Sequence, residues 1–175
     1  EHLRAHGFEN FTITSTRAFE TIFRVSYEIK GMPKISIVIP NKDHKEDLER
    51  CISSILERTS YLNYEIIIVE NNSETQEIFE YYESLKQNKK IKVVTFEGAF
   101  NYSAVNNLGV KHADGEYILL LNNDTEVITV NWLEELLMYA QREDVGAVGG
   151  KLYYEDKTIQ HAGVVIGLGA HRTAG

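Results

Sequence analysis

The chain predicts an α/β fold: a mostly parallel, doubly wound sheet flanked by helices, with a small β-hairpin extension at its N-terminal side. Three observations carry this expectation. Short apolar runs at 35–39, 65–69, 91–96 and 117–121 have the length and composition of strands in a sheet covered on both faces. The stretches between them carry apolar residues at helical spacing. Strands and helices therefore alternate in order, which favours parallel pairing through crossover connections.

Taken in order, residues 1–7 (EHLRAHG) read as a helix tail ending at a glycine. Residues 8–30 alternate weakly, with Phe23, Val25, Tyr27 and Ile29 at period two, and predict a hairpin. The Gly31-Met-Pro33 hinge closes this extension, which spans 1–33, and the main domain spans 34–175. Strand 35–39 stops at Pro40. Asp43 and Glu46 then match a capping box opening a helix with Leu48, Ile52, Ile55 and Leu56 on its inner face. Strand 65–69 is followed by Ser73 and Gln76, a second capping box, before a helix facing inward through Ile78, Tyr82 and Leu85. After strand 91–96 comes a helix at 102–112 with Val105, Leu108 and His112 on one side, then strand 117–121, expected to be buried on both faces. Asn131 and Glu134 open a fourth helix that includes Trp132, expected in the core. Segments 145–150, 151–154 and 163–166 predict later strands.

The composition excludes several classes. Hydrophobic content of 43% and charged content of 25% are ordinary for a globular domain. No apolar stretch reaches the ~20 residues needed to cross a bilayer, and no signal peptide is evident. A net charge of −8 argues against a nucleic acid as the main partner. The lone Cys51 reads as a buried thiol suited to a reducing compartment. The chain starts at Glu1 and runs into a glycine-rich segment at 167–175, which predicts a piece of a longer polypeptide truncated at its C-terminus.

Candidate chemistry collects at strand ends. Three core strands end in polar clusters: Pro40-Asn41-Lys42-Asp43, Glu70-Asn71-Asn72-Ser73 and Asn122-Asn123-Asp124. In a parallel sheet these ends face one crevice, where open α/β sheets bind ligands. Glu70 or Asn71 could accept an N–H from a uracil-like base. There is no G-x-G-x-x-G after the first strand and no phosphate-cradling P-loop, and the G-x-G at Gly167 and Gly169 is a weak signal. A bound diphosphate would therefore need its charge met by other means. A carboxylate at a strand end is costly to desolvate unless paired or on a metal, so Asp124 is the candidate ligand for a divalent cation, Mg²⁺ or Mn²⁺, bridging phosphate oxygens.

Residues 34–167 resemble the family 2 glycosyltransferases of GT-A (Rossmann-like) fold, in particular the bacterial branch that builds rhamnose-rich and other cell-surface polysaccharides. The resemblance rests on ISIVIPNKD (35–43), YEIIIVENNS (64–73), NYSAVNNLG (101–109), GEYILLLNND (115–124), VGGKLYY (148–154) and IQHAG (159–163), in that order. It implies an inverting transferase using a nucleotide-sugar donor and a glycan or lipid-linked acceptor. The implied setting is cytoplasmic, or peripheral at the inner face of the cell membrane. It places Pro40 and Lys42 at the nucleoside, Asn71 at the position of a uracil-binding acidic residue, and Asn101 and Asn107 along the nucleotide side. Asn122-Asn123-Asp124 stands where the family has its D-x-D metal motif, with Asn122 replacing the first aspartate. The family's general base is a downstream carboxylate. Because no Asp or Glu follows Asp156, the base is expected beyond Gly175, in further domains of the same polypeptide, and this fragment is expected to be inactive alone.

Other residues have simpler readings. His161 reads as a packed or turn-bonded histidine, Glu155-Asp156 as a turn, the Lys89-Lys90-x-Lys92 run as a solvated loop, and His112 as a charge at a helix C-terminus. Tyr153 and Tyr154 suit a strand with no ligand. Two rival functions stay open: a non-catalytic nucleotide-sugar or carbohydrate-binding module, and nucleotidyl transfer. The second would call for a glycine- and basic-rich loop after the first strand, which Pro40-Asn41-Lys42-Asp43 is not.

Overall fold

The computed structural model describes residues 1–5, 7–16, 19 and 21–163. The expected 163–166 strand and the Gly167 and Gly169 pair lie outside the described residues, apart from Gly163, which is in no element. Contacts group the chain into two compact units, one of Ile29–Glu135 and one of Glu1–Glu28 with the chain from Leu136 onward.

In the second of these, helix α1 (His2–Ala5) ends before Gly7, whose φ of 83° is the left-handed stop that glycine supplies. The expected hairpin is present, with β1 (Phe11–Ser15) antiparallel to β2 (Phe23–Tyr27) and Phe11 opposite Tyr27. The Arg142 guanidinium lies 4.5 Å from the Phe8 ring and 4.8 Å from the Tyr27 ring and is ion-paired with Asp144.

The larger unit carries the parallel sheet. Its strands are β3 (Ile35–Asn41), β4 (Tyr64–Glu70), β5 (Ile91–Thr95) and β6 (Tyr117–Leu120), in spatial order β5-β4-β3-β6. The helices between them are α2 (Lys45–Arg58), α3 (Gln76–Leu85) and α4 (Tyr102–Lys111). Every strand pair in this sheet is parallel, as the alternating pattern predicts. The chain runs outward from β3 to β5 and then returns to place β6 on the other side of β3. This reversal makes the β3/β6 boundary a topological switch point.

The core follows the pleat. Val38, Ile67 and Val69 cluster with Val105 of α4 on one face, and Ile37, Ile39, Ile66 and Ile68 on the other are fully buried. Leu48, Ile52 and Ile55 of α2 and Ile78 of α3 are equally sealed. Pro40 extends β3 beyond the expected stop. Its missing N–H is tolerated because β6 pairs only as far as Val38, leaving that edge of Pro40 outside the ladder.

Several expectations are corrected. Among the described residues β6 pairs only with β3, and its Ile118 and Leu120 are 41% and 48% exposed, so the strand is not buried on both faces. Neither capping box forms. α2 starts after His44, which has a φ of 45° and makes no side-chain cap, and α3 starts after Thr75. The Asp43 carboxylate instead accepts the N–H groups of Glu74 and Thr75, so it caps the neighbouring helix. α5 (Trp132–Ala140) begins where expected, but Trp132 is only half-buried and donates Nε1–H to Thr59. Residues 145–150 form no strand. The expected 151–154 strand is the short β7 (Leu152–Tyr153), antiparallel to β8 (Ile159–His161), so His161 lies exposed on a strand. Lys92 is not merely solvated: its ammonium is 3.1 Å from the buried Glu65 carboxylate.

Candidate functional site

A cavity of about 370 Å³ opens at the carboxyl ends of the parallel strands, within the size range of small-molecule sites. The loop after β3 contributes Pro40, Asn41, Lys42 and His44, and the end of β4 contributes Asn71. Phe100, Tyr102 and Val105 form the wall at the start of α4, and Asn122 and Asn123 close it from the end of β6. Six residues of the three strand-end clusters thus share one cavity: Pro40, Asn41, Lys42, Asn71, Asn122 and Asn123.

The other expected residues lie elsewhere. Glu70 is buried, and its carboxylate accepts from the N–H and hydroxyl of Ser73 and from the Tyr82 hydroxyl. It braces the loop and is not in the wall. Asn101 caps α4, its Oδ1 accepting the Ala104 N–H at 3.0 Å. Asn107 is exposed on α4, outside the lining, whereas its neighbour Asn106 is buried. Asp124 is exposed in the turn that follows the lining residues Asn122 and Asn123.

Sequence reading missed His44, Phe100, Tyr102 and Val105. The aromatic pair flanking the Asn101 cap was a usable signal for Phe100 and Tyr102. Nothing local marked His44, whose place in the wall depends on the left-handed conformation of Asp43 (φ 51°) and His44.

Polarity in the wall is set by hydrogen bonds. Asn71 Nδ2 donates to the carbonyls of Phe96 and Gly98, both at 3.1 Å. Carbonyls only accept, so the amide sense is forced and Asn71 Oδ1 points the other way, buried and without a partner. A buried unpaired acceptor costs roughly 1–3 kcal/mol, which a ligand N–H or O–H would recover. The Asp43 carboxyl is held below its usual range by the hydrogen bonds from Thr75 and Glu74.

The turn bearing Asp124 is anchored on α2. Thr125 Oγ1 donates to the Asn122 carbonyl at 2.8 Å, and the buried Cys51 Sγ approaches that carbonyl at 3.8 Å. Further along, the Val127 N–H donates to Ser54 Oγ at 3.0 Å, and Arg58 donates to the Val127 carbonyl at 2.6 Å. Burial pushes the Cys51 thiol up to about 11, against the hydrogen bonding with Thr125 and with the Asp124 charge adding to the rise. Among the described residues no group of three or more His, Cys, Asp or Glu side chains is gathered to hold a metal. Asp124 is the single carboxylate at the polar end of β6. One carboxylate fits a cation that takes most of its ligands from phosphate and water.

The chain is 43% identical over 168 residues to the O-antigen biosynthesis protein RfbC of Myxococcus xanthus, a match covering 96% of this chain and 13% of that protein. It is 30% identical over 131 residues to the poly(ribitol-phosphate) β-N-acetylglucosaminyltransferase TarP of Staphylococcus aureus, covering 72% of this chain and 38% of TarP. The chain thus spans well under half the length of these relatives. Among solved structures, the mannosyltransferase PcManGT of Pyrobaculum calidifontis, in complex with GDP-Man and Mn²⁺, superposes with a TM-score of 0.60 at 13% identity, over 83% of this chain and 40% of that one. That likeness identifies the fold as GT-A. The family model "Glycosyl transferase family 2" matches residues 36–166, most of the chain, and the protein therefore belongs to glycosyl transferase family 2.

Proposed function

We propose that the strand-end cavity binds a nucleotide-sugar donor, and that the chain is the donor-binding part of an inverting glycosyltransferase that extends a bacterial surface glycan. The observation that carries this reading is Asn71, which lines the cavity and whose Oδ1 is buried without a partner. A pyrimidine or purine ring N–H, such as that of uracil or guanine, satisfies it, whereas the ring nitrogens of adenine and cytosine on that edge only accept. Phe100 and Tyr102 offer aromatic faces beside it.

Asp124 would hold a divalent cation together with the donor's diphosphate, Asn122 orienting a hydroxyl or a water without adding charge. The cation, when bound, supplies charge stabilisation to the departing diphosphate. The chain's own residues hold the nucleoside and present the sugar's C1 to an acceptor hydroxyl, whose attack inverts the anomeric centre. The acceptor proton must leave as that bond forms. Among the described residues no carboxylate lines the cavity, so we assign the base to a group outside them. The same observation, with Asn122 in place of an aspartate, favours the second reading of a non-catalytic nucleotide-sugar-binding module.

Isothermal calorimetry with UDP and GDP, with and without Mn²⁺, tests the reading. We expect binding that requires Mn²⁺, and we expect Asp124→Ala to lose that requirement together with at least tenfold in affinity. Equal affinity in the two proteins would refute the metal role. Sugar transfer by the longer polypeptide decides between the enzyme and the binding module.

A further inference from the structure

The cavity wall contains a second amide whose sense is forced, and the cause lies outside the cavity. Asn41, at the end of β3 and 4% exposed, donates from Nδ2 to the Asp43 carbonyl at 2.8 Å and to the Tyr82 hydroxyl at 2.7 Å. The Asp43 carbonyl can only accept, so the atom facing it must be the nitrogen. Tyr82, on α3 and also 4% exposed, receives that proton and gives its own to Glu70 at 3.0 Å. Every group in this chain is satisfied in one direction only. Asn41 Oδ1 then faces the β6 end, where Asn123 Nδ2 donates to it at 2.6 Å. Turning the Asn123 amide over would set two carbonyl oxygens at that distance. No described residue donates to Asn123 Oδ1.

We infer that Asn41 and Tyr82 are positioning residues that lock the Asn123 amide across the β3/β6 switch point, so that Asn123 offers the ligand a carbonyl acceptor and selects a hydrogen-bond donor there, a hydroxyl of a nucleoside diphosphate. This rests on the nucleotide reading of the cavity. The relay also connects Glu70, buried and outside the wall, to the cavity: its carboxylate accepts from Tyr82 and so orients the string Tyr82–Asn41–Asn123. Asn71 and Asn123 are then a matched pair of acceptors, each with its donor side committed to the protein.

The lock can be judged with no ligand present. In ¹⁵N spectra the Asn123 side-chain amide is expected to be protected from solvent exchange. In Tyr82→Phe, which keeps the ring and removes only the hydroxyl, the Asn41 and Asn123 amide signals should shift, and in Asn41→Leu the Asn123 amide should exchange as freely as an exposed one. A freely exchanging Asn123 amide in the wild-type chain overturns the lock. With Mn²⁺ present, UDP is then compared with 2′-deoxy-UDP and 3′-deoxy-UDP. The wild-type protein should bind one of the analogues about tenfold more weakly than UDP, the size of one buried hydrogen bond. Asn41→Leu should reduce that ratio to about twofold or less, and Tyr82→Phe, in which the Asp43 carbonyl still holds the Asn41 amide, should reduce it in part, whereas a residue that only supports the fold would weaken all three ligands alike and leave the ratio unchanged. No discrimination in the wild type, or discrimination that survives both variants, overturns the assignment of Asn123. A protected Asn123 amide in a protein that binds neither UDP nor GDP would instead overturn the nucleotide reading, with the lock left standing.

Discussion

Cys51 lies directly beneath the turn that carries Asp124, fully buried, with Thr125 Oγ1 at 3.7 Å and the Asn122 carbonyl at 3.8 Å. With its thiol pushed up to about 11, only about one molecule in a thousand carries the thiolate at pH 8. Iodoacetamide should therefore label the native chain at least a hundredfold more slowly than the urea-unfolded chain. Equal rates would mean that the turn does not pack over the sulfur. The burial of Cys51 was legible from its helical neighbours, but its place under the Asp124 turn was not. The polar residues of the wall divide in the same way. Their types and strand-end positions could be read along the chain, whereas the sense of each amide could not, because it depends on carbonyls as far away as Phe96 and Gly98 for Asn71, and on Asn41 for Asn123.

At the scale of elements, the cavity depends on how closely α4 approaches the sheet. A Cβ on Gly109 would sit 2.3 Å from Val38 Cγ1 and 2.9 Å from Val69 Cγ2, so the glycine permits contact between the helix backbone and the strands. Gly109→Ala sets two effects against each other. Helix propensity gains about 1 kcal/mol, and overpacking against two fully buried valines costs roughly 1–3 kcal/mol or more at such distances. Packing wins, and urea denaturation should show a net loss of about 1–2 kcal/mol. A stabilised variant would mean that the helix sits further from the sheet. The helix starts carry the same lesson. Asp43-x-x-Glu46 and Ser73-x-x-Gln76 fit the local capping pattern, yet the left-handed Asp43 and His44 swing the Asp43 carboxylate onto the start of α3, and Ser73 is taken by Glu70. A local motif was outcompeted by a partner 31 residues away.

At the scale of the molecule, the end of the sheet opposite the cavity is held by Glu65. Its carboxylate accepts from Ser36 Oγ at 2.7 Å and the Asp114 N–H at 2.8 Å, and pairs with Lys34 at 3.0 Å and Lys92 at 3.1 Å, joining β3, β4, β5 and the approach to β6. Burial alone would raise its pKa, but the hydrogen bonds from Asp114, Ser36, Lys34 and Lys92 outweigh it and hold the carboxyl at about 2. Because the folded value is depressed, this stabilisation is complete above the unfolded value near 4.5 and is lost as pH falls through about 2. The shift corresponds to an energy on the order of 3 kcal/mol. Glu65→Gln should therefore be less stable than wild type by about 2–3 kcal/mol at pH 7, and the two denaturation curves should converge towards pH 2. A gap that persists unchanged at low pH would show that the carboxylate's charge is not what matters. None of this network was read from the sequence, where Glu65 was one letter of a strand and Lys92 part of a solvated run.

The sequence by itself determined the order of strands and helices, the parallel sheet, the N-terminal hairpin and the gathering of polar residues at strand ends. Those depend on local periodicity and on the rule that parallel strands finish on one side. Only the tertiary structure decided which of those residues share the cavity, which way their amides face, that one face of β6 is exposed, and that Glu70 braces a loop while Asn71 lines the cavity. Each of these depends on hydrogen-bond partners and neighbours distant in the chain. A side chain's type sets what it can donate or accept, but only the fold settles which of its atoms are already engaged.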